Sequence, residues 1–238
     1  MQWRGQGDIA ADRSRMAAGG SAALRHSPEV RPMPFPDEIT PDGVSVLPYD
    51  DQWPTAFKVV RDELGRTLGE LALAIDHIGS TSIPGMVAKD CIDVQVRVRS
   101  VADPELERRL VAHGFRRRPE PWNTTEDVAG RAWPKQVYAP APGARPVNIH
   151  LRNLDGGNTR HALLFRDYLR SNPDVRDHWS HFKRRLAESV PGIFDYGQIK
   201  QPATGVLFAA AEQWALQTGW APDAIRCAQS CVKTRRSY

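Results

Sequence analysis

The sequence predicts an α/β (α+β) domain: a mixed sheet with helices packed on one side and a helical C-terminal part. Three observations carry this. Segments 91–99 and 147–152 alternate apolar and polar residues, the period of a strand with one buried face. A helix with a single apolar stripe precedes them, and three helical segments follow. A sheet covered by helices is the simplest way to bury these faces together.

Residues 1–42 read as a disordered leader, rich in Ala, Gly, Arg, Ser and Pro without apolar periodicity. Met16 and Met33 read as candidate alternative starts. The domain is expected over 43–217. Its first helix follows Asp51, read as the N-cap, with Pro54 in the first turn. Trp53, Phe57, Val60, Leu64, Leu68 and Leu71 form its apolar stripe. Leu73–Ile78 reads as a short strand entering the loop Gly79-Ser80-Thr81-Ser82-Ile83-Pro84-Gly85.

The strand Cys91–Arg99 points Ile92, Val94, Val96 and Val98 one way and Cys91, Asp93, Gln95, Arg97 and Arg99 the other. Pro104 opens a helix that His113-Gly114 ends. Residues 116–146 are rich in Arg and Pro, with one short strand at Lys135–Tyr138. In the next strand Val147, Ile149 and Leu151 face inward, and Asn148, His150 and Arg152 outward. The closing helices run over His161–Arg170, after Asn172-Pro173 with Val175, Trp179, Phe182 and Leu186 on one face, and over Gln198–Gln217 with Ile199, Val206, Ala210 and Trp214 inward. Trp53, Phe165, Trp179, Phe182 and Trp214 are expected in the core. Residues 218–238 read as a basic flexible tail.

The chain has 238 residues, a net charge of +4 and a pI near 9.1. That basicity suggests nucleic acid until it is divided along the chain. Residues 1–35 carry +2 and residues 216–238 carry +3, which leaves −1 for 36–215. Nucleic acid is therefore not the expected partner. No apolar run is long enough to cross a bilayer, and the first thirty residues lack a secretory pattern. The three cysteines, Cys91, Cys227 and Cys231, form no metal set and suit a reducing cytoplasm.

Three pieces carry chemistry: the loop His77-Ile78-Gly79-Ser80-Thr81-Ser82, Lys89 with Asp93, and Asn148-Ile149-His150. A glycine lets a phosphate approach the backbone, where hydroxyls and N–H groups bond its oxygens. A carboxylate on a neighbouring strand can hold Mg²⁺ against the same phosphates. If the two strands pair, Asp93, Gln95, Asn148 and His150 share one polar face.

The string from His77 to Gly85, then Lys89 and Ile92-Asp93, resembles the GrpB family. The resemblance starts at Tyr49-Asp-Asp-Gln-Trp-Pro54 and continues through Asn148-Ile-His-Leu151 and Leu164-Phe-Arg-Asp-Tyr-Leu-Arg170 to Tyr196 and Lys200. It covers about residues 44–215. It implies a nucleotidyltransferase-like sheet in which a Gly-Ser loop faces strand-borne acids, and a nucleotide or phosphorylated small molecule as ligand. In active members of that superfamily paired carboxylates bind two Mg²⁺ ions, and an acceptor attacks the α-phosphorus of a nucleoside triphosphate. Gly79 and Ser80 match the Gly-Ser motif and Asp93 the first acid, the expected metal ligand and catalytic residue. The second acid position holds Gln95, and no acid stands near Asn148–His150 for the third. Asp90 should point away from Asp93. His77, Thr81, Lys89, His150, Arg166 and Lys200 complete the expected phosphate contacts. The alternative reading is a binding or accessory domain that keeps the fold without catalysis. Family members also occur fused to dephospho-CoA kinase, but these 238 residues hold no Gly-x-x-x-x-Gly-Lys-Ser/Thr loop.

Each residue also has a plainer reading. His77 and His150 can be strand histidines with a hydrogen-bond partner, and Asp93 a solvated strand acid. Arg166 and Arg170 are spaced for a surface ion-pair face with Asp167. Arg116-Arg117-Arg118 and Lys183-Arg184-Arg185 read as solvated edges.

Overall fold

The computed structural model describes residues 43–223. The leader expected over 1–42, and Cys227 and Cys231 of the tail, lie outside the described residues. The described chain runs α1 (Trp53–Leu68), β1 (Ala74–Ile78), β2 (Ile92–Val98), α2 (Pro104–Ala112), β3 (Arg116–Arg117), β4 (Thr125–Val128), β5 (Arg131–Ala139), β6 (Val147–Asn153), α3 (Gly157–Ser171), α4 (Pro173–Ser189) and α5 (Ile193–Thr218). The sheet order is β1-β2-β6-β5-β3, with β4 paired to β5. The β2–β6 pair is parallel and the other pairs are antiparallel. The mixed sheet and helical C-terminal part expected from the sequence are both present.

Alternation in β2 and β6 does what its period dictates. Ile92, Val94, Val96 and Val98 join Val147, Ile149 and Leu151 in one buried layer against Trp53, Leu64 and Leu68 of α1 and Leu106 and Leu110 of α2. Each such side chain contributes about 1.5–3 kcal/mol on burial. A second core joins Ile83 and Met86, from the loop after β1, to Leu164 and Leu169 of α3, Trp179 of α4, and Leu207, Ala211 and Ala215 of α5. The Gly-Ser loop is thus anchored at one end in the sheet and at the other in the helical core.

Four local expectations change. Gln52, not Asp51, precedes α1, and it is Asp50 whose carboxylate accepts the Gln52 N–H at 2.8 Å. Residues 116–146 contain a hairpin, β4–β5, beyond the one short strand expected. Its turn is Ala129-Gly130, both at positive φ, and the Asp127 carboxylate accepts the Gly130 N–H at 3.1 Å. The polar face of β2 is solvated only in part: Asp93 is partly exposed, but Gln95 and Arg97 are both buried. Finally, α5 turns Tyr196, Leu207, Ala211 and Ala215 inward while Ile199, Val206 and Ala210 are exposed. The run Val206–Ala211 is apolar all round, so its periodicity does not select a face. Trp214 does pack on the second core, as expected.

Residues 218–223, at the start of the expected tail, run back along the domain. Trp220 donates its indole N–H to Asp167, and the Asp223 carbonyl accepts from Arg97.

The phase of α5 is testable by thermal denaturation. Leu207→Ala should cost about 2–4 kcal/mol, while Val206→Ala should stay within about 0.5 kcal/mol. A larger loss at Val206 would contradict the assigned face.

Candidate functional site: a Gly-Ser loop against a strand carboxylate

β1 delivers the chain into Gly79, whose φ of 66° and ψ of −170° belong to a region open essentially to glycine alone. The loop there lies directly on Asp93 of β2. A Cβ on Gly79 would come within 3.0 Å of the Asp93 Cβ and Cγ, and closer still to Oδ2. The turn is closed by Ser82, whose hydroxyl donates to the Gly79 carbonyl at 2.6 Å. Gly79 therefore meets Asp93, and Ser80 is the next residue of the loop.

The rest of the loop is held from the helices through its own carbonyls. Arg166 of α3 donates to His77 O (3.3 Å) and Arg170 to Ser82 O (2.6 Å). From α4, Arg176 donates to Pro84 O (3.1 Å) and Lys183 to Val87 O. Lys183 also donates to the Ser80 hydroxyl at 2.8 Å. Arg166 and Arg170 share Asp167 as counter-ion, at 2.6 and 3.8 Å. The pairing with Asp167 expected from the spacing is present, and both arginines also bond the loop backbone. Arg166 works on the loop backbone and on Asp167.

Lys183 is the group the sequence reading misplaced. It is 3% exposed rather than a solvated edge. The signal was present: Lys183 follows Trp179 by one turn, between Phe182 and Leu186, on the face of α4 that turns inward. The neighbouring Arg184 and Arg185 give a charge run that masks a lysine on an apolar face.

Along the sheet, Asp93 lies opposite Asn148 and Gln95 opposite His150. Asn148 donates to Asp93 Oδ1 at 3.0 Å, and His150 Nε2 stands 3.7 Å from the same oxygen. Burial alone would raise the Asp93 carboxyl, but the His150 ring, the Asn148 amide and the Lys89 charge outweigh it and hold its pKa at about 2. The His150 Nδ1 is buried without a hydrogen-bond partner. His77 stacks on Phe57 with ring centroids 4.6 Å apart, and its Nε2 shares a 3.0 Å hydrogen bond with Thr81 Oγ1. Burial is the main reason its pKa falls to about 4, and Arg170 and Arg166 add to the fall against Asp93. His77 and Thr81 thus bind each other. Lys200, half-buried on α5, holds its ammonium 5.5 Å over the Tyr196 ring, and Lys89 is exposed. Burial, then Lys89, lowers the Lys200 pKa.

Gln95 and its neighbours are closed to a ligand. Gln95 is 0% exposed, donates to Asp76 at 3.2 Å and accepts from Arg152 at 2.9 Å. Arg97 pairs with Asp76 and Arg152 with Glu126, each at 2.8 Å. Asp90 indeed points away, accepting from the Trp53 indole N–H at 2.9 Å and from Arg145. Among the described residues no three His, Cys, Asp or Glu side chains converge to hold a metal ion. The donor set does not fit a two-metal centre. It offers one carboxylate, Asp93, which could hold a single Mg²⁺ only with further ligands from outside the protein.

A family model described as GrpB protein matches residues 43–208. This chain belongs to the GrpB family. A dephospho-CoA kinase of Mycolicibacterium paratuberculosis is 34% identical over 203 residues, covering 78% of this chain and 50% of that protein. The UPF0157 protein YqkA of Bacillus subtilis is 30% identical over 189 residues, covering 79% of this chain and 52% of YqkA. The chain therefore spans about half the length of these relatives. The crystal structure of the conserved protein GrpB from Enterococcus faecalis superposes with a TM-score of 0.59 at 25% identity, covering 74% of this chain and 100% of that one. The GrpB span takes in the Gly-Ser loop, Asp93, His150, Lys183 and Lys200, so the whole cleft lies within the shared region.

Two outcomes follow for the free protein. Gly79→Ala should destabilise by at least about 1–3 kcal/mol, since it combines a strained backbone with a clash on Asp93; an unchanged melting temperature would sink the close approach. Acid should weaken the fold in two steps. Between pH 6.5 and about 4 the unfolded His77 binds a proton that the folded ring refuses, so stability falls as pH drops, by on the order of 3 kcal/mol. Below about 3.8 the unfolded Asp93 protonates before the folded one, and a second loss runs toward pH 2. Denaturation curves of His77→Gln should show a smaller upper step and an unchanged lower one, because burial also lowers His150 and His161 and they keep part of the upper step; an upper step as large as in the wild type would contradict the account.

Proposed function

We propose that the cleft between Gly79-Ser80 and Asp93 binds a nucleotide or another phosphorylated small molecule. The observation that carries this is the charge collected on the loop. Burial and the neighbouring lysines lower both Lys183 and Lys200, and Asp93 is the one acid that opposes the fall. Phosphate oxygens suit that surplus, and the Ser80 hydroxyl and the side-chain-free Gly79 suit their close approach. The ligand reaches Ser80, Lys183 and Lys200 first, with Lys89 and His150 at the margins. Mg²⁺, where a triphosphate brings it, is met by Asp93.

Nucleotidyl transfer is the activity this fold would support with a full acid set. One observation favours the second reading, binding without transfer: Gln95 stands where the partner acid would, with its amide committed to Asp76 and Arg152. The cytoplasm is the compartment where such a ligand is met. Among the described residues no helix is long and apolar enough to cross a membrane.

Thermal-shift assays with ATP, GTP, CTP and UTP, each with and without Mg²⁺, test binding. At ligand near a hundred times Kd the gain is about 2.7 kcal/mol, a shift of several degrees. Lys200→Met should reduce the shift, and Asp93→Asn should remove its Mg²⁺-dependent part. The reading falls if no nucleotide stabilises the wild-type protein at millimolar concentration. Turnover of labelled triphosphate separates transfer from binding alone.

A further inference from the structure

Lys183 is a buried cation whose hydrogen bonds all go to uncharged acceptors. Its ammonium donates to the Ser80 hydroxyl and the Val87 carbonyl, using two of its three N–H groups. Among the described residues no carboxylate forms an ion pair or a hydrogen bond with it. The charged groups facing it are Asp93 of β2, which favours the ammonium, and Lys200 of α5 and Lys89 of the loop before β2, which oppose it. Taking an ammonium out of water without a contacting counter-ion costs several kcal/mol. Burial first, then Lys200 and Lys89, bring its pKa down to about 7. In the free chain the group is therefore divided between amine and ammonium near neutral pH.

A phosphate on the Ser80 hydroxyl would change that balance. Two negative charges offset the two-charge surplus left when three lysines face one aspartate, and they give the ammonium the counter-ion it lacks. We propose that Lys183 makes this cleft selective for a phosphate group carrying two negative charges, and that such a group binds together with a proton taken up at Nζ. This rests on the phosphate-binding reading above and narrows its ligand class. Phosphomonoesters and the ends of di- and triphosphates qualify; a phosphodiester, with one charge, does not.

Linkage fixes the direction of the pH effect. Ligand raises the Lys183 pKa above its free value, so binding takes up a proton at pH values between the two, and affinity falls as pH rises through that window. Below the free value Lys183 is already charged and contributes no pH dependence.

Calorimetry on the full chain tests this at pH 8, where a nucleotide's terminal phosphate is already ionised. ATP, GTP, CTP and UTP are titrated without metal in Tris and in HEPES, whose ionisation enthalpies differ. Uptake of roughly half to one proton per bound triphosphate is expected, with affinity falling about tenfold per pH unit at most above pH 7. AMP should bind at least about tenfold tighter than 3′,5′-cyclic AMP, whose phosphate is a diester. Lys183→Met should lose about tenfold or more in affinity, and Lys183→Arg, charged throughout, should lose the proton uptake while still binding. Triphosphate binding whose enthalpy is the same in both buffers overturns the inference on the wild-type protein alone and leaves the phosphate-binding reading standing. Failure of all four triphosphates to bind overturns both.

Discussion

Gly79 crosses Asp93 with no room for a side chain between them, and the arrangement of the cleft descends from that contact. The strand supplies a carboxylate flanked by Asn148 and His150. The loop supplies a backbone that only glycine can fold that way. Once the loop lies on the strand, its later residues have little choice. Ile83 and Met86 enter the helical core, and the carbonyls of His77, Ser82, Pro84 and Val87 each receive a cation from α3 or α4. These charge-assisted bonds act on backbone atoms, so they hold the loop's path whatever its side chains do. The hydroxyl of Ser80 is left beside the Lys183 ammonium.

The polar face of the sheet divides into two halves with different duties. Near the loop, Asp93, Asn148 and His150 keep some solvent exposure and one unsatisfied buried nitrogen. Farther along, Asp76, Arg97, Gln95, Arg152 and Glu126 neutralise one another in a continuous chain whose middle members, Arg97, Gln95 and Arg152, are buried. Such a chain is costly to break, since removing one member strands another charge away from water. A carboxylate at position 95 would sit between Asp76 and Arg152 rather than in an open metal site. The neutral glutamine is thus consistent with its surroundings, and the chemistry of the cleft rests on cations and a single acid.

Much of this was legible in the sequence, for reasons that can be named. Strict alternation in 92–98 and 147–153 specifies both strands and, once they pair, puts Asp93 beside Asn148. The Gly-Ser string and the family resemblance then bring the loop to that face. What stayed hidden depended on partners distant in sequence. Lys183 lies 103 residues from Ser80, and nothing near it in the chain announces the hydroxyl it meets. Gln95 looked like a lost acid because Asp76 and Arg152 could not be seen to hold it. The β4–β5 hairpin turns on Ala129-Gly130 and carries Pro134, so the usual Asn-Gly or Asp-Gly signal was missing. On α5 an unbroken apolar run left the buried face undetermined.

Membership of the GrpB family places the cleft in a region shared with longer proteins, among them mycobacterial dephospho-CoA kinases of which this chain matches about half. The cleft is built from the matched span alone, so its ligand can be sought in this chain directly. The most direct measurement is a crystal structure of the chain grown with a nucleoside triphosphate. The account predicts phosphate oxygens within hydrogen-bonding distance of the Ser80 hydroxyl and the Lys183 ammonium, over Gly79 and beside Asp93. A triphosphate bound elsewhere, with Ser80 and Lys183 still bonded only to each other and to Val87, would contradict it.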